Sequence, residues 1–165
     1  MKTFKKLGKE LLSQGGKSIQ YVDDRDFYKL LNQKGRFFDG LKVEFREGYP
    51  NMCHYNCSKF WKENRGHCNI VQGYVLNPQE LWVPHTWIVK PINMLLVECT
   101  ALNGEVQKYF GYILNQEQCA NFYSLYVKDI VYFNKYKEGR KNNTIPEDVT
   151  FPGWMQECFG GNIRK

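Results

Sequence analysis

No stretch of about 20 consecutive apolar residues occurs in the chain, which excludes a membrane-crossing helix readable from hydropathy. No glycine-rich loop closes on a lysine followed by serine or threonine, and the single glycines form no dinucleotide fingerprint. ATP and NAD are therefore poor matches, and no cofactor is expected. Internal repeats and low-complexity tracts are absent, which excludes a repeat array. The lysine-rich start "MKTFKKLGKELLSQGG" lacks the long apolar core and small-residue cleavage site of a secretion signal. The expectation is a soluble cytoplasmic protein without a transmembrane segment.

With 165 residues, 42% of them hydrophobic, the chain can build one substantial core but is short for two, so residues 1–165 are expected to form a single domain. The six cysteines, Cys53, Cys57, Cys68, Cys99, Cys119 and Cys158, are too sparse for a disulfide scaffold and read as thiols. A formal net charge of +6 favours encounter with an acidic protein partner, nucleic acid or anionic lipid without choosing among them. The basic "NKYKEGRKNN" reads as an exposed turn or arm, and it does not define a nucleic-acid groove.

Phe4, Leu7, Leu11 and Leu12 recur at helical spacing, with Lys2, Lys5, Lys6 and Lys9 left for the outer face. A basic terminal helix is expected within 1–14, closed by Gly15 and Gly16. Asp23 or Asp24 is placed to cap a second helix reaching Asn32, and Leu41, Val43 and Phe45 alternate as a short strand. Pro50 disfavours helix at Tyr49, so the next helix should begin near Cys53 with Asn51 as its cap. Cys53, Asn56 or Cys57, Phe60 and Asn64 then share a broad face, with Trp61 beside it.

"NIVQGYVL", "LWVPHTWIVK" and "NMLLVECT" read as three strands, the last two joined tightly around Pro91. Period-two alternation puts His85, Trp87 and Val89 on one face, and Met94, Leu96 and Glu98 on one face of the next strand. A four-residue connection with Val89 opposite Met94 sets His85 directly opposite Glu98, close enough to hydrogen-bond. Beyond them lie an aromatic segment "VQKYFGYIL", a helix over "NQEQCANFYSLY", a strand "DIVYF", and a tail expected to pack through Phe151, Trp154 and Phe159.

These placements bring chemistry-bearing side chains into one neighbourhood. A cysteine at a helix start sits among unpaired N–H groups and the positive end of the dipole, which favours its thiolate. Cys53 is thus the candidate nucleophile, His85 its base and Glu98 the acid that orients His85. The Cys53 N–H and Asn51 are candidates to face a developing oxyanion, with Gln72 a weaker alternative. Asn56 either bonds the connection before Cys53 or forms a polar wall. Trp87 shelters His85, lines an acyl-substrate groove, or packs the core.

The ordered series "PNMCHYN", "GYVL", "LWVPHTW", "LLVECT" and "KYFG" resembles small, largely uncharacterised bacterial and phage proteins with a papain-like (NlpC/P60-like) cysteine-hydrolase core. The resemblance covers residues 49–112. It implies an α+β fold in which a nucleophile-bearing helix packs on an antiparallel β-sheet. It also implies a thiol protease, amidase or deamidase acting on a peptide or protein through a catalytic triad of Cys53, His85 and Glu98. Asn56 matches an asparagine often found just after the cysteine. Pro84 departs from the pattern and calls for an edge strand or bulge, and Glu98 replaces an expected aspartate. Two alternatives use the same chain differently. One is a catalytically inactive papain-like module that binds protein. The other is a module bound to nucleic acid or protein and stabilised by zinc on Cys53, Cys57, His67 and Cys68.

Overall fold

The computed structural model describes residues 2–39, 41–100, 106 and 108–127. Cys158, the strand expected at "DIVYF", the basic segment and the aromatic tail lie outside these residues. The order is α1 (Lys2–Ser13), β1 (Ser18–Ile19), α2 (Arg25–Lys34), β2 (Arg36–Phe37), β3 (Val43–Phe45), α3 (Cys53–Glu63), β4 (Asn69–Leu76), β5 (Leu81–Lys90), β6 (Leu95–Glu98) and β7 (Lys108–Ile113). A further helix, α4, spans 116–127. None of the described helices is long and apolar enough to cross a membrane.

The helices begin and pack as their apolar spacing dictates. Leu7 and Leu11 of α1 are fully buried while Lys5, Lys6 and Lys9 face out, so the amphipathic segment covers the core. Asp24 caps α2 by accepting the Phe27 N–H at 2.9 Å, and Tyr28 and Leu31 point inward. Helix α3 buries Cys57 and Trp61 against the sheet.

Among the described residues a seven-stranded sheet carries the site, in the order β2-β7-β4-β5-β6-β3, with β1 paired to β5. The sheet is mixed, which corrects the expected antiparallel one: β3 runs parallel to β6 and β1 parallel to β5. The reason is connectivity. Strand β6 reaches β3 only after α3, β4 and β5 have intervened, so the chain returns by a crossover rather than a hairpin. Strands β1 and β2, two residues each, are too short to leave a period-two signal.

Strand β5 is the organising element. Strand β4 pairs with it from Leu81's neighbour Trp82 to Val89, whereas its other edge is divided between β1 at Leu81–Trp82 and β6 at Ile88–Lys90. Trp82 accepts the Gln20 N–H from the β1 side. Alternation therefore turns the nitrogen of Pro84 toward the interval between β1 and β6, where a strand without an N–H loses no ladder bond. Proline is accommodated without a bulge, and the register through Pro84 and His85 is continuous with β4.

Both faces of the sheet are covered. Trp82 and Ile88 join the helices in one core with Leu7, Leu31, Cys57, Trp61 and Phe122. Trp87 and Val89 join Phe38, Val71, Val75, Leu96 and Tyr109 on the other. Gly73 and Gly111 lie in line with His85 across three strands. A Cβ on Gly111 would stand 2.7 Å from Cη2 of Trp87, so the bare backbone there makes room for the indole.

Candidate active site

Helix α3 starts at Cys53, as the sequence predicts, but its cap is Met52 and not Asn51. Asn51 has φ 59°, a left-handed conformation that asparagine tolerates, and it turns the chain one residue too early to cap. Met52 makes no side-chain cap bond, and the first helical bond runs from the Asn56 N–H to the Met52 carbonyl at 2.9 Å. The first-turn N–H groups around Cys53 thus have no helical acceptor and lie at the positive end of the dipole.

Asn56 holds the approach to this helix. Its Oδ1 accepts the Tyr49 N–H at 3.1 Å, and its Nδ2 donates to the Tyr49 carbonyl at 2.8 Å and to Thr100 Oγ1 at 3.0 Å. Of the two roles open to it, bonding the connection before Cys53 is the one the hydrogen bonds describe. Gly48 lies flush against this clamp, because a Cβ there would collide with the Cys99 carbonyl and sit 2.7 Å from Asn56 Nδ2. Asn56 also borders a cavity of about 150 Å³ with Tyr49, Tyr55, Lys59 and Phe60.

His85 and Glu98 are both buried, and His85 Nε2 stands 2.9 and 3.0 Å from the two carboxylate oxygens of Glu98. The expected direct opposition is corrected by two residues. Val89 pairs with Leu96, the connection occupies 91–94, and Glu98 falls opposite Trp87 by extension of that register. A shift of two keeps every side chain on its face, so Glu98 still reaches His85 as a diagonal neighbour. Its other bonds come from the Thr100 N–H at 3.2 Å and the Tyr109 hydroxyl at 3.4 Å. A buried carboxylate surrounded by donors in this way is compensated for its desolvation.

Because Glu98 occupies Nε2, Nδ1 is the His85 nitrogen left to act on Cys53. Burial would lower the His85 pKa, but the Glu98 charge and the hydrogen bonds to Cys53 and Glu98 raise it to about 10. Burial would likewise raise the Cys53 thiol, and the charge and hydrogen bonds of His54 and then His85 hold it well below its ordinary value. Burial instead pushes Cys57 and Cys119 up, and raises Cys68 to about 11. Cys53 alone among these four is shifted toward the thiolate.

Trp87 is completely buried, with its ring stacked near His85 at 6.3 Å and 15°. It shelters the imidazole and belongs to the core, and its Nε1 has no hydrogen-bond partner. Gln72 stands beside Thr86 in the register, and its Oε1 accepts the Tyr112 hydroxyl at 2.9 Å.

No family model, curated protein or solved structure matches this chain. The chemistry therefore rests on the residues themselves. Among the described residues, no three of His, Cys, Asp and Glu are grouped to hold a metal ion, so Cys53, Cys57, His67 and Cys68 do not converge.

Two participants escaped the sequence pattern. His54 places Nδ1 3.8 Å from Cys53 Sγ and 2.6 Å from Thr86 Oγ1. Neighbouring helical residues point about 100° apart, so nothing in the "CH" dipeptide announces that the two side chains meet. Tyr109, which bonds Glu98, arrives from a strand whose alternation marks only its burial.

Proposed function

We propose that this protein is a cysteine-dependent hydrolase or acyltransferase acting on the carbonyl of a peptide or side-chain amide, with a core of papain-like type. The observation that carries the reading is the buried His85, bonded through Nε2 to both Glu98 oxygens while its charge helps hold the Cys53 thiol at the start of α3 below its ordinary value.

In this mechanism the Cys53 thiolate attacks the substrate carbonyl, and the electron pair of the broken C=O π-bond moves to oxygen. First-turn N–H groups of α3 stabilise that oxyanion. His85 protonates the departing amine as the C–N bond breaks, leaving a thioester on Cys53. It then takes a proton from water as the water oxygen attacks the thioester, and the thiolate is released. Glu98 keeps the imidazole oriented throughout. A primary amine in place of water turns the same cycle into transamidation.

Acyl-enzyme formation tests the proposal. With p-nitrophenyl acetate at pH 6, intact mass should show a single acetyl group, mapped by peptide mass to Cys53, absent in Cys53→Ser and strongly reduced in His85→Gln. Acetylation spread evenly over the cysteines, or unaffected by His85→Gln, would sink the reading.

A further inference from the structure

Two consecutive residues of α3 meet two consecutive residues of β5. Strand alternation sends His85 to one face of the sheet and Thr86 to the other. The start of α3 lies at the divided edge of β5, where Cys57 Sγ donates to the Thr86 carbonyl at 3.2 Å. Cys53 Sγ lies 3.8 Å from His54 Nδ1, the same nitrogen that Thr86 Oγ1 meets at 2.6 Å, so the two share it. We propose that His54, held by Thr86, is a second positioning residue for the Cys53 sulfur, acting beside His85. This rests on the reading of Cys53 as nucleophile.

The orientation of His54 is built rather than incidental. Thr86 is fully buried, and its hydroxyl fixes Nδ1 at 2.6 Å. The ring is wedged by Phe122, edge-on at 5.5 Å, and by Tyr126 at 4.6 Å, both from α4. A half-buried histidine left to solvent would instead sample several rotamers and face the sulfur only part of the time.

The two imidazoles are not equivalent. His85 is oriented by the Glu98 carboxylate, whereas His54 is oriented by the neutral hydroxyl of Thr86. A base backed by a carboxylate stabilises the imidazolium that forms during proton transfer, and a hydroxyl does so far less. Proton shuttling therefore stays with His85. His54 acts through the sulfur, favouring the thiolate before substrate arrives. Loss of His85 should abolish turnover while leaving part of the thiolate, and loss of His54 should remove thiolate at low pH while leaving the shuttle intact.

Iodoacetamide labelling of Cys53 across pH, read by peptide mass on the full chain, separates these roles. The groups that face the sulfur are His54 and Cys57 from α3 and His85 from β5; Glu98 of β6 and Tyr109 of β7 stand behind His85, and Tyr126 of α4 beside His54. His54→Phe keeps the ring against Phe122 and Tyr126 but removes its nitrogens. It should move the labelling midpoint up by about one unit and slow labelling about tenfold at pH values below the parent's midpoint. Thr86→Val should shift the midpoint in the same direction, and Thr86→Ser should restore it.

Each alternative result is decisive. If His54→Phe and Thr86→Val both label like the parent while His85→Gln does not, the nucleophile reading stands and the His54 inference is overturned. If His54→Phe labels like the parent and only His54→Gln is slowed, the residue is a packing group and the inference is also overturned. If the parent itself labels as an ordinary thiol, the nucleophile reading falls and this inference falls with it. Circular dichroism melts establish that each variant is folded, and the Thr86 pair supplies the answer should His54→Phe unfold.

Discussion

His85 and Glu98 meet across a diagonal of the β5–β6 ladder, with Nε2 2.9 Å from Oε1 and 3.0 Å from Oε2. Glutamate is suited to that diagonal. Aspartate, one methylene shorter, fits a directly opposed pair better, so side-chain length here follows from register.

The carboxylate is what keeps a buried imidazole charged. Glu98→Gln retains length and hydrogen-bonding capacity but removes the charge, so the His85 pKa should fall from about 10 by about 1–3 units. An NMR titration of the His85 ring checks this. An unchanged titration would mean that some other group holds the proton.

Stability should be flat across neutral pH and decline on both sides. His85 is raised from 6.5, so its contribution is complete below 6.5 and is lost as pH rises through about 10. Cys53 is lowered from 9.0, so its contribution is complete above 9 and is lost as pH falls through its lowered value. From the higher of 6.5 and the lowered Cys53 value up to 9 the two slopes cancel, because there the folded imidazolium–thiolate pair carries as many protons as the unfolded neutral pair. Urea unfolding of the parent and of Cys53→Ser, compared pH by pH, gives the pair's contribution. A difference curve that slopes steadily through pH 7 to 8 would rule out the ion pair.

Removing the Asn56 clamp takes a partner from the Tyr49 N–H, from the Tyr49 carbonyl, which keeps the Met52 N–H, and from the buried Thr100 hydroxyl. Asn56→Ala should cost about 2–4 kcal/mol in denaturant unfolding and loosen the connection into Cys53. Hydrogen exchange at Tyr49 should quicken well beyond the global change. Protection retained at Tyr49 would show that the connection is held by something else.

Pro84 should be replaceable at little cost despite its place inside the longest strand. Its nitrogen faces the interval between β1 and β6, so Pro84→Ala should change stability by less than about 1 kcal/mol. Val83, one position earlier and directed at β4, is the control: Val83→Pro removes a ladder bond and should destabilise severalfold more. Equal effects at both positions would contradict the edge geometry.

The elements with a strong period were legible before any coordinates. The apolar spacing of α1, the Asp24 cap, the start of α3 at Cys53 and the alternation of β4, β5 and β6 all follow from local pattern. Register was harder, because a slip of two residues leaves the faces unchanged and period-two reasoning cannot detect it. The parallel pairing of β3 with β6 was out of reach for a related reason: sequence neighbours suggest hairpins, and a crossover leaves no local mark. His54 illustrates the limit at the site itself. Its position beside Cys53 was visible, but its aim depends on Thr86, Phe122 and Tyr126, which reach it from β5 and α4.

The parallel seam between β3 and β6 has a consequence in time. During synthesis Cys53 leaves the ribosome well before Glu98, and α3 can form early from local contacts alone. Its sulfur then has His54 beside it but no carboxylate-backed imidazole, since His85 gains Glu98 only once β6 is laid against β5. In a half-made or partly unravelled chain the Cys53 thiol therefore lacks the carboxylate-backed His85, and that pairing is completed only as the later strands of the sheet are laid down.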